Sequence, residues 1–389
     1  MLMNDWGDIM NGNIIIKEVK GRSMLRKFVD VPNVMYKDVE QFIPAFYGDD
    51  LADWNPKKNP AMQYCEARAF LAYRDGEIVG RIAAIYSKRS NEVWGTNRMR
   101  FSQVDFIDDP EVSSALFAKV EEWAREKGCD QVHGPLGFCD MDREGMLVEG
   151  FDIRSMFITY YNHPYYNDHL KALGYDKDVD WIEYKLMTPS PDDPFYMTIH
   201  RLADRALRDG TYHKVSLANR RQYKPYIKKV FNLVNEAYAA LYGVVELNME
   251  QIEKYADKFI PLINPDYCAL VVDKDDNLCA FGVCAPSVAA AIKKSNGRLF
   301  PTGWIGVLKA LRKNTAVDLL LMAVKPELKN TGLNAVVIDH IMNSAMKNGI
   351  EYAETGPQLE TNTKMITQWK MLNPVPHKRR RCYIKTIGG

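Results

Sequence analysis

No apolar run in the 389 residues approaches the length of a membrane span. Ala280 to Ala285 and Leu319 to Val324 are strand-sized, against the roughly 20 residues that a bilayer-crossing helix needs. No charge of one sign is in excess either: 51 Lys and Arg face 50 Asp and Glu, a formal net charge of +1. No global field therefore draws the chain to nucleic acid or to an anionic membrane, and an anionic ligand has to be held locally. The first twenty residues carry Asp5, Asp8 and Glu18 and lack a basic start, an apolar core and a small-residue cleavage site. A secretory signal is absent from them, and a cytoplasmic location is expected. Cysteine is present at seven positions (65, 129, 139, 268, 279, 284 and 382) without a CxxC pair, which argues for buried reduced thiols over a disulfide framework or a zinc site. Missing too are a GxSxG elbow, an HExxH pair, a GxxxxGK[ST] loop and any ligand spacing among the seven histidines. Hydrolase, zinc-protease and phosphate-loop NTPase readings have no support, and no metal is expected.

What is present is an average globular composition, 47% apolar and 26% charged, in a chain long enough for two or three domains. The stretch Thr188-Pro-Ser-Pro-Asp-Asp-Pro194 cannot continue a helix or an inner strand and reads as a linker. Similar patterns flank it. Ala69–Tyr73, a turn at Arg74–Glu77 and Ile78–Ile85 predict a hairpin, as do Cys268–Val272, Asp273–Asn277 and Leu278–Ala285, with Gly80 and Gly282 at matching points. The strand candidates Met99–Ile107 and Val317–Val324 each lead into an amphipathic helical run (Val112, Leu116, Val120, Trp123, Ala124; Leu333, Val337, Ile341, Ala345) that ends at Gly128 or Gly349. A short strand closed by Gly134-Pro135 or Gly356-Pro357 follows, then a helix-sized segment after Asn162 or Asn362, and a final strand (Trp181–Leu186; Arg380–Ile387). The expectation is a duplicated mixed α/β unit: an N-terminal domain over residues 1–188, a linker at 189–194 and a C-terminal domain over 195–389.

Two insertions break the repeat. Residues 136–161 are rich in glycine (Leu136-Gly-Phe-Cys-Asp-Met-Asp-Arg-Glu-Gly145), and residues 286–314 hold two short helix-like runs around Gly297–Gly303; long insertions are where binding residues tend to sit, when they are not plain surface loops. The basic run His377-Lys-Arg-Arg-Arg381 sits at the start of a strand, where alternation splits its charge between two faces. It reads as a solvated sheet edge, or as a seat for the phosphates of a ligand or an acidic substrate.

Glu144–Asp152, Asn162-His-Pro-Tyr-Tyr166, Gly297-Arg-Leu-Phe-Pro301 and Arg381-Cys-Tyr-Ile-Lys385, together with the duplication, resemble a tandem, two-domain bacterial member of the GNAT superfamily of acyl-CoA N-acyltransferases, over about Ile14 to Ile387. The superfamily's cofactor motif, R/Q-x-x-G-x-G/A, corresponds to Lys329-Asn-Thr-Gly332-Leu-Asn334, with Lys in place of Arg or Gln and Asn in place of the small last residue. A helix N-terminus there offers free N–H groups and a positive dipole end to a pyrophosphate. The resemblance implies Ala323, Val324, Lys329, Asn330, Thr331, Gly332, Leu333, Asn334 and Asn362 as cofactor-binding residues for acetyl-CoA or another acyl-CoA. The matching place in the first copy holds Asp108, Asp109 and Glu111, which would repel a pyrophosphate, so that copy is expected to shape structure or substrate only. The resemblance further implies attack of an amine on a thioester, with a base and commonly a helix tyrosine as acid. Trp369 stands at the tyrosine's position, and Leu170 in the first copy. Glu354 is the candidate base and Tyr383 the candidate substitute acid. The implied function is N-acyl transfer, most simply N-acetyl transfer, to a small-molecule or peptide amine, with neither nucleic acid nor membrane as partner. A non-catalytic GNAT-fold binding module and an aminoacyl-tRNA-dependent transferase are the alternatives.

Overall fold

The computed structural model describes residues 13–216, 219–362 and 374–388. Its strands are β1 (Ile15–Glu18), β2 (Cys65–Arg74), β3 (Glu77–Ser87), β4 (Arg98–Phe106), β5 (Gln131–Gly134), β6 (Met146–Glu149) and β7 (Asp176–Met187), then β8 (Tyr212–Lys214), β9 (Cys268–Asp273), β10 (Leu278–Pro286), β11 (Ala316–Val324), β12 (Tyr352–Thr355), β13 (Gln358–Leu359) and β14 (Val375–Thr386). Both expected hairpins form, β2 with β3 and β9 with β10. On each, the outer strand beyond the hairpin runs antiparallel to it, and a parallel neighbour follows: β4 with β5, β11 with β12.

The matched hairpin glycines have a physical cause. A Cβ on Gly282 would lie 2.4 Å from Val337 Cγ1, and one on Gly80 would lie 2.9 Å from Leu116 Cδ1. Each glycine lets its own helix, Leu333–Lys347 or Pro110–Glu126, lie directly on the sheet. Val112, Leu116, Val120 and Trp123 are buried on the one helix and Leu333, Val336 and Val337 on the other, so the apolar stripes face their sheets as the spacing predicts.

All the main strands join one continuous sheet in the order β1-β2-β3-β4-β5-β14-β7-β12-β11-β10-β9-β8. Read outward from its centre, the sheet repeats the same pairings on both sides. Its centre is crossed: β14, the last strand of the second half, pairs with β5 of the first, while β7, the last strand of the first half, pairs with β12 of the second. β7 and β14 then pair with each other over most of their length. Tyr383 of β14 consequently belongs to the first half's core, with Phe101, Phe106, Phe117 and Tyr175.

The basic run is therefore not a sheet edge. It lies in the central strand, and the alternation read from the sequence sorts it between two sets of partners. The side chains of Lys378 and Arg380 are fully buried against Glu183, while Arg379 and Arg381 meet Asp180 on the other face. All seven cysteines are buried and unpaired. Among the described residues no helix is long and apolar enough to cross a membrane.

Candidate functional site

β11 and β12 run together only from Ala316↔Tyr352 to Leu319↔Thr355. β11 then continues to Val324 while its neighbour turns away, and a bulge opposite Val283 and Cys284 marks the point of parting. The wedge between them opens into a cavity of about 1040 Å³. Leu319, Leu320 and Leu321 of β11, Ile338 and Met342 of the helix Leu333–Lys347, and the rings of Tyr238 and Tyr242 make most of the lining apolar. Asp140, Asp142 and Glu144, from the first half's insertion, line it as well.

Of the residues that sequence reasoning assigned to the cofactor, Ala323, Val324, Lys329, Asn330, Asn334 and Asn362 line this cavity, whereas Thr331, Gly332 and Leu333 do not. Thr331 Oγ1 donates to the Leu328 carbonyl, and Leu333 is wholly buried in the core behind the turn. Gly332 caps the helix N-terminus with φ 87°. A Cβ there would meet Ala206 Cβ at 3.2 Å and the Leu202 carbonyl oxygen at 3.5 Å. Glycine at this position thus serves the left-handed turn and the packing of the helix Pro194–Leu207, not room in the cavity.

In the first half the corresponding turn and the end of β4 are both engaged. Arg74 pairs with Asp109 at 2.7 Å, both side chains nearly inaccessible, and Asp109 accepts from the Glu111 N–H at the helix start. Burial raises the Asp109 carboxyl, but the Arg74 and backbone hydrogen bonds outweigh it and hold it below its ordinary value. Tyr166 stacks on Phe106 with ring centroids 4.1 Å apart. Its hydroxyl accepts from the Phe106 N–H, while the Tyr165 hydroxyl donates to the Phe106 carbonyl. The matching backbone position opposite the second hairpin glycine is Met322. There Tyr238 alone does both jobs, donating to the carbonyl at 2.9 Å and accepting from the N–H at 3.4 Å.

Neither residue proposed for proton transfer lines the cavity. Tyr383 donates to Asn167 Oδ1 at 2.7 Å inside the first half's core. Glu354 projects from the opposite face of β12 and pairs with Lys378, with His377 Nε2 at 3.4 Å. The two sit in separate clusters. Trp369 lies outside the described residues.

The acids that do face the cavity went unassigned in the sequence, although the glycine-rich insertion that holds them was singled out. Asp142 is committed: it accepts from the Phe138 and Cys139 N–H groups and from Tyr255. Burial pushes Asp140 up to about 6, and its Oδ1 has no hydrogen-bond partner among the described residues. Burial, reinforced by Asp140, pushes Glu144 up to about 8.

Two groupings bring three possible metal ligands within 4.8 Å of one another: His133, Asp178 and Cys382, and Glu183, Glu354 and His377. The first converges on the Tyr242 hydroxyl, which lies 3.3 Å from His133 Nδ1 and 3.6 Å from Cys382 Sγ and donates to Asp178. The Lys378 ammonium occupies the second.

No family model matches the sequence. The chain is 27% identical over 383 residues to Protein YghO of Escherichia coli (strain K12), covering 96% of this chain and 95% of that one. It is 24% identical over 389 residues to a protein of Caulobacter vibrioides (strain NA1000 / CB15N) named bacterial ceramide synthase, covering 98% and 99%. Among solved structures, a tandem GNAT protein from the clavulanic acid biosynthesis pathway superposes with a TM-score of 0.56 at 12% identity, over 97% of this chain and 99% of that one. A GCN5-related N-acetyltransferase from Sphaerobacter thermophilus superposes with a TM-score of 0.50 at 11% identity, over 96% of both. At such identities the superpositions speak for the fold alone.

Proposed function

We propose that this chain, whose fold is tandem GNAT-like, transfers an acyl group from acyl-CoA to an amine, with CoA held by its second half. One observation carries the reading: a single cavity runs from the helix-terminal turn at Lys329, Asn330 and Asn334, along the parted edge of β11, to the acids of the first half's insertion. The turn suits an anion, since the first N–H groups of a helix lack intrahelical partners and Lys329 adds a positive charge. Ala323, Val324 and Asn362 complete that end from the lining, and Thr331, Gly332 and Leu333 do so by shaping the turn from behind. The bound thioester supplies the activated acyl carbon, and the amine reaches it from the first-half side. The first half holds no CoA, because Arg74 and Asp109 are paired at its turn and Tyr165 and Tyr166 engage the end of β4 at Phe106.

The apolar lining favours a hydrocarbon on the acyl group, the acceptor, or both. The relative named bacterial ceramide synthase makes a long-chain amine the first acceptor class to assay. Purified protein should release thiol from acetyl-CoA or a long-chain acyl-CoA in the presence of a member of an amine panel, with the amide product found by mass spectrometry. CoA binding without thiol release on any amine would favour the non-catalytic module instead. Absence of CoA binding would remove the proposal altogether.

A further inference from the structure

Among the described residues, Glu144 makes no hydrogen bond and no ion pair, although it lines a largely apolar cavity. The charged and titratable groups around it are accounted for. Asp142 is satisfied by two backbone N–H groups and Tyr255. Arg100, on β4, is spent on the Gly137 carbonyl and Ser90. Tyr242 is engaged with Asp178, Tyr238 with Met322, and the Cys382 thiol beyond is buried and neutral. Asp140 adds a second carboxyl with an orphaned oxygen. Leaving a carboxylate unpaired in such surroundings is costly unless a cation joins it.

We propose that Glu144, assisted by Asp140, is the seat of the acceptor's ammonium group, and that the acceptor is a primary amine on a long single hydrocarbon chain. This rests on the acyl-transfer reading for the chemistry, but the binding claim stands apart from it. The cationic head meets Glu144, which makes no hydrogen bond or ion pair among the described residues, and the orphaned oxygen of Asp140, while the chain lies along the leucines of β11 and the side chains of Ile338 and Met342. In the reaction the Glu144 carboxylate takes one proton from the ammonium, and the freed amine attacks the thioester carbon. The C–N bond forms as the C–S bond breaks, and the second nitrogen proton ends on the departing thiolate, so that amide, CoA thiol and one proton, held on Glu144, are the products. Burial raises Glu144 to about 8 in the empty site, so near neutral pH the carboxyl there is largely protonated; it ionises as the ammonium docks beside it, and the carboxylate so formed then takes the proton from the ammonium.

The test uses the full chain and two probes of equal length, dodecylamine and dodecanol, below their aggregation limits and without acyl-CoA. Binding is followed by the fluorescence of Trp181, which lines the cavity. The wild type should bind the amine at least about 30-fold more tightly than the alcohol, and Glu144→Gln should abolish that preference. Butylamine should bind far more weakly than dodecylamine. Equal affinity for amine and alcohol in the wild type would overturn the proposal without recourse to any variant. So would a folded Glu144→Gln that keeps the preference. CoA affinity, measured separately by calorimetry, should be the same in both proteins. Loss of CoA binding in the wild type would count against acyl transfer while leaving the ammonium seat to stand or fall on the probes. In turnover, Glu144→Gln should lower kcat about 100-fold or more with CoA affinity unchanged; an unchanged kcat would overturn the proton-accepting role.

Discussion

Arg380 and Glu183, 197 positions apart in the chain, form an ion pair with both side chains completely withdrawn from solvent. Lys378 joins Glu183 from the same strand at 2.9 Å. The carbonyls of Arg154 and Tyr160, from the first half's insertion, accept from the two cations. One carboxylate thus fixes the last strand of the second half against the last strand of the first.

Removing Glu183 should be severe, because it leaves the buried Arg380 without its carboxylate and Lys378 with Glu354 alone. Glu183→Gln is expected to cost about 3–5 kcal/mol in urea unfolding. Burial alone would raise the Glu183 carboxyl, but Arg380 and Lys378 outweigh it and hold it down to about 2, against an ordinary 4.5. Its folded-state value is depressed, so its contribution is complete above about pH 4.5 and drains away as pH falls toward 2. Stability measured over that window should drop steeply in the wild type and less so in Glu183→Gln. Parallel curves would show that the pair does not govern acid stability.

Asp318 carries the opposite sign. Burial, and then Glu354 beside it on β12, push its carboxyl up to about 8 from an ordinary 3.8, and its Oδ2 has no hydrogen-bond partner among the described residues. Between those values the folded chain binds a proton that the unfolded chain does not. Stability therefore falls as pH rises through the window, by at most about 1.4 kcal/mol per pH unit, and levels off above pH 8. Asp318→Asn removes this slope. Its urea midpoint should gain on the wild type steadily from pH 5 to pH 8.5, and a constant difference would refute the assignment.

Local pattern made much of this architecture readable, and long-range pairing set the limit. Gly80 and Gly282 were visible as matching points because each lies in an alternating strand, and the helices Pro110–Glu126 and Leu333–Lys347 because their apolar residues recur at helical spacing. The crossing of β7 and β14 left no such trace: β5 and β12 present similar edges, and nothing local says whose last strand each will take. For the same reason the alternation of Lys378 and Arg380 against Arg379 and Arg381 was legible, while their burial was not, since Glu183 and Asp180 lie on β7. Asp140 and Glu144 could be flagged only as part of an unusual insertion. Their chemistry depends on a cavity most of whose other walls come from the second half, about a hundred positions or more downstream, Tyr238 and Leu319 among them.

The crossing has a consequence for dissection of the chain. A fragment of residues 1–188 lacks β14, and with it Tyr383, which the first half's core buries completely. That fragment should be aggregated or unfolded when expressed alone, and a fragment of residues 195–389 should lack the strand that covers β12. Expressed together, the two should recover a soluble complex with native-like near-ultraviolet circular dichroism. A monomeric, cooperatively unfolding 1–188 fragment would mean that β14 is dispensable to the first half.

At the cofactor turn, the informative substitution is one that faces the cavity. Gly332→Glu would force a side chain onto a residue with φ 87° and against Ala206, so lost binding there could reflect a disturbed turn. Asn334 lines the cavity in the first turn of the helix Leu333–Lys347. Asn334→Asp adds a negative charge where the helix dipole welcomes it, so the melting temperature should hold or rise. The same charge opposes the phosphates of CoA and should weaken binding at least about tenfold. Lys329→Ala removes one favourable charge, worth about 0.3–1 kcal/mol, and should weaken binding only about twofold to fivefold. Calorimetry with CoA on the wild type and both variants gives the ranking. If Asn334→Asp binds CoA as the wild type does, the phosphates do not lie at this turn, and the second-half assignment of the cofactor fails with it.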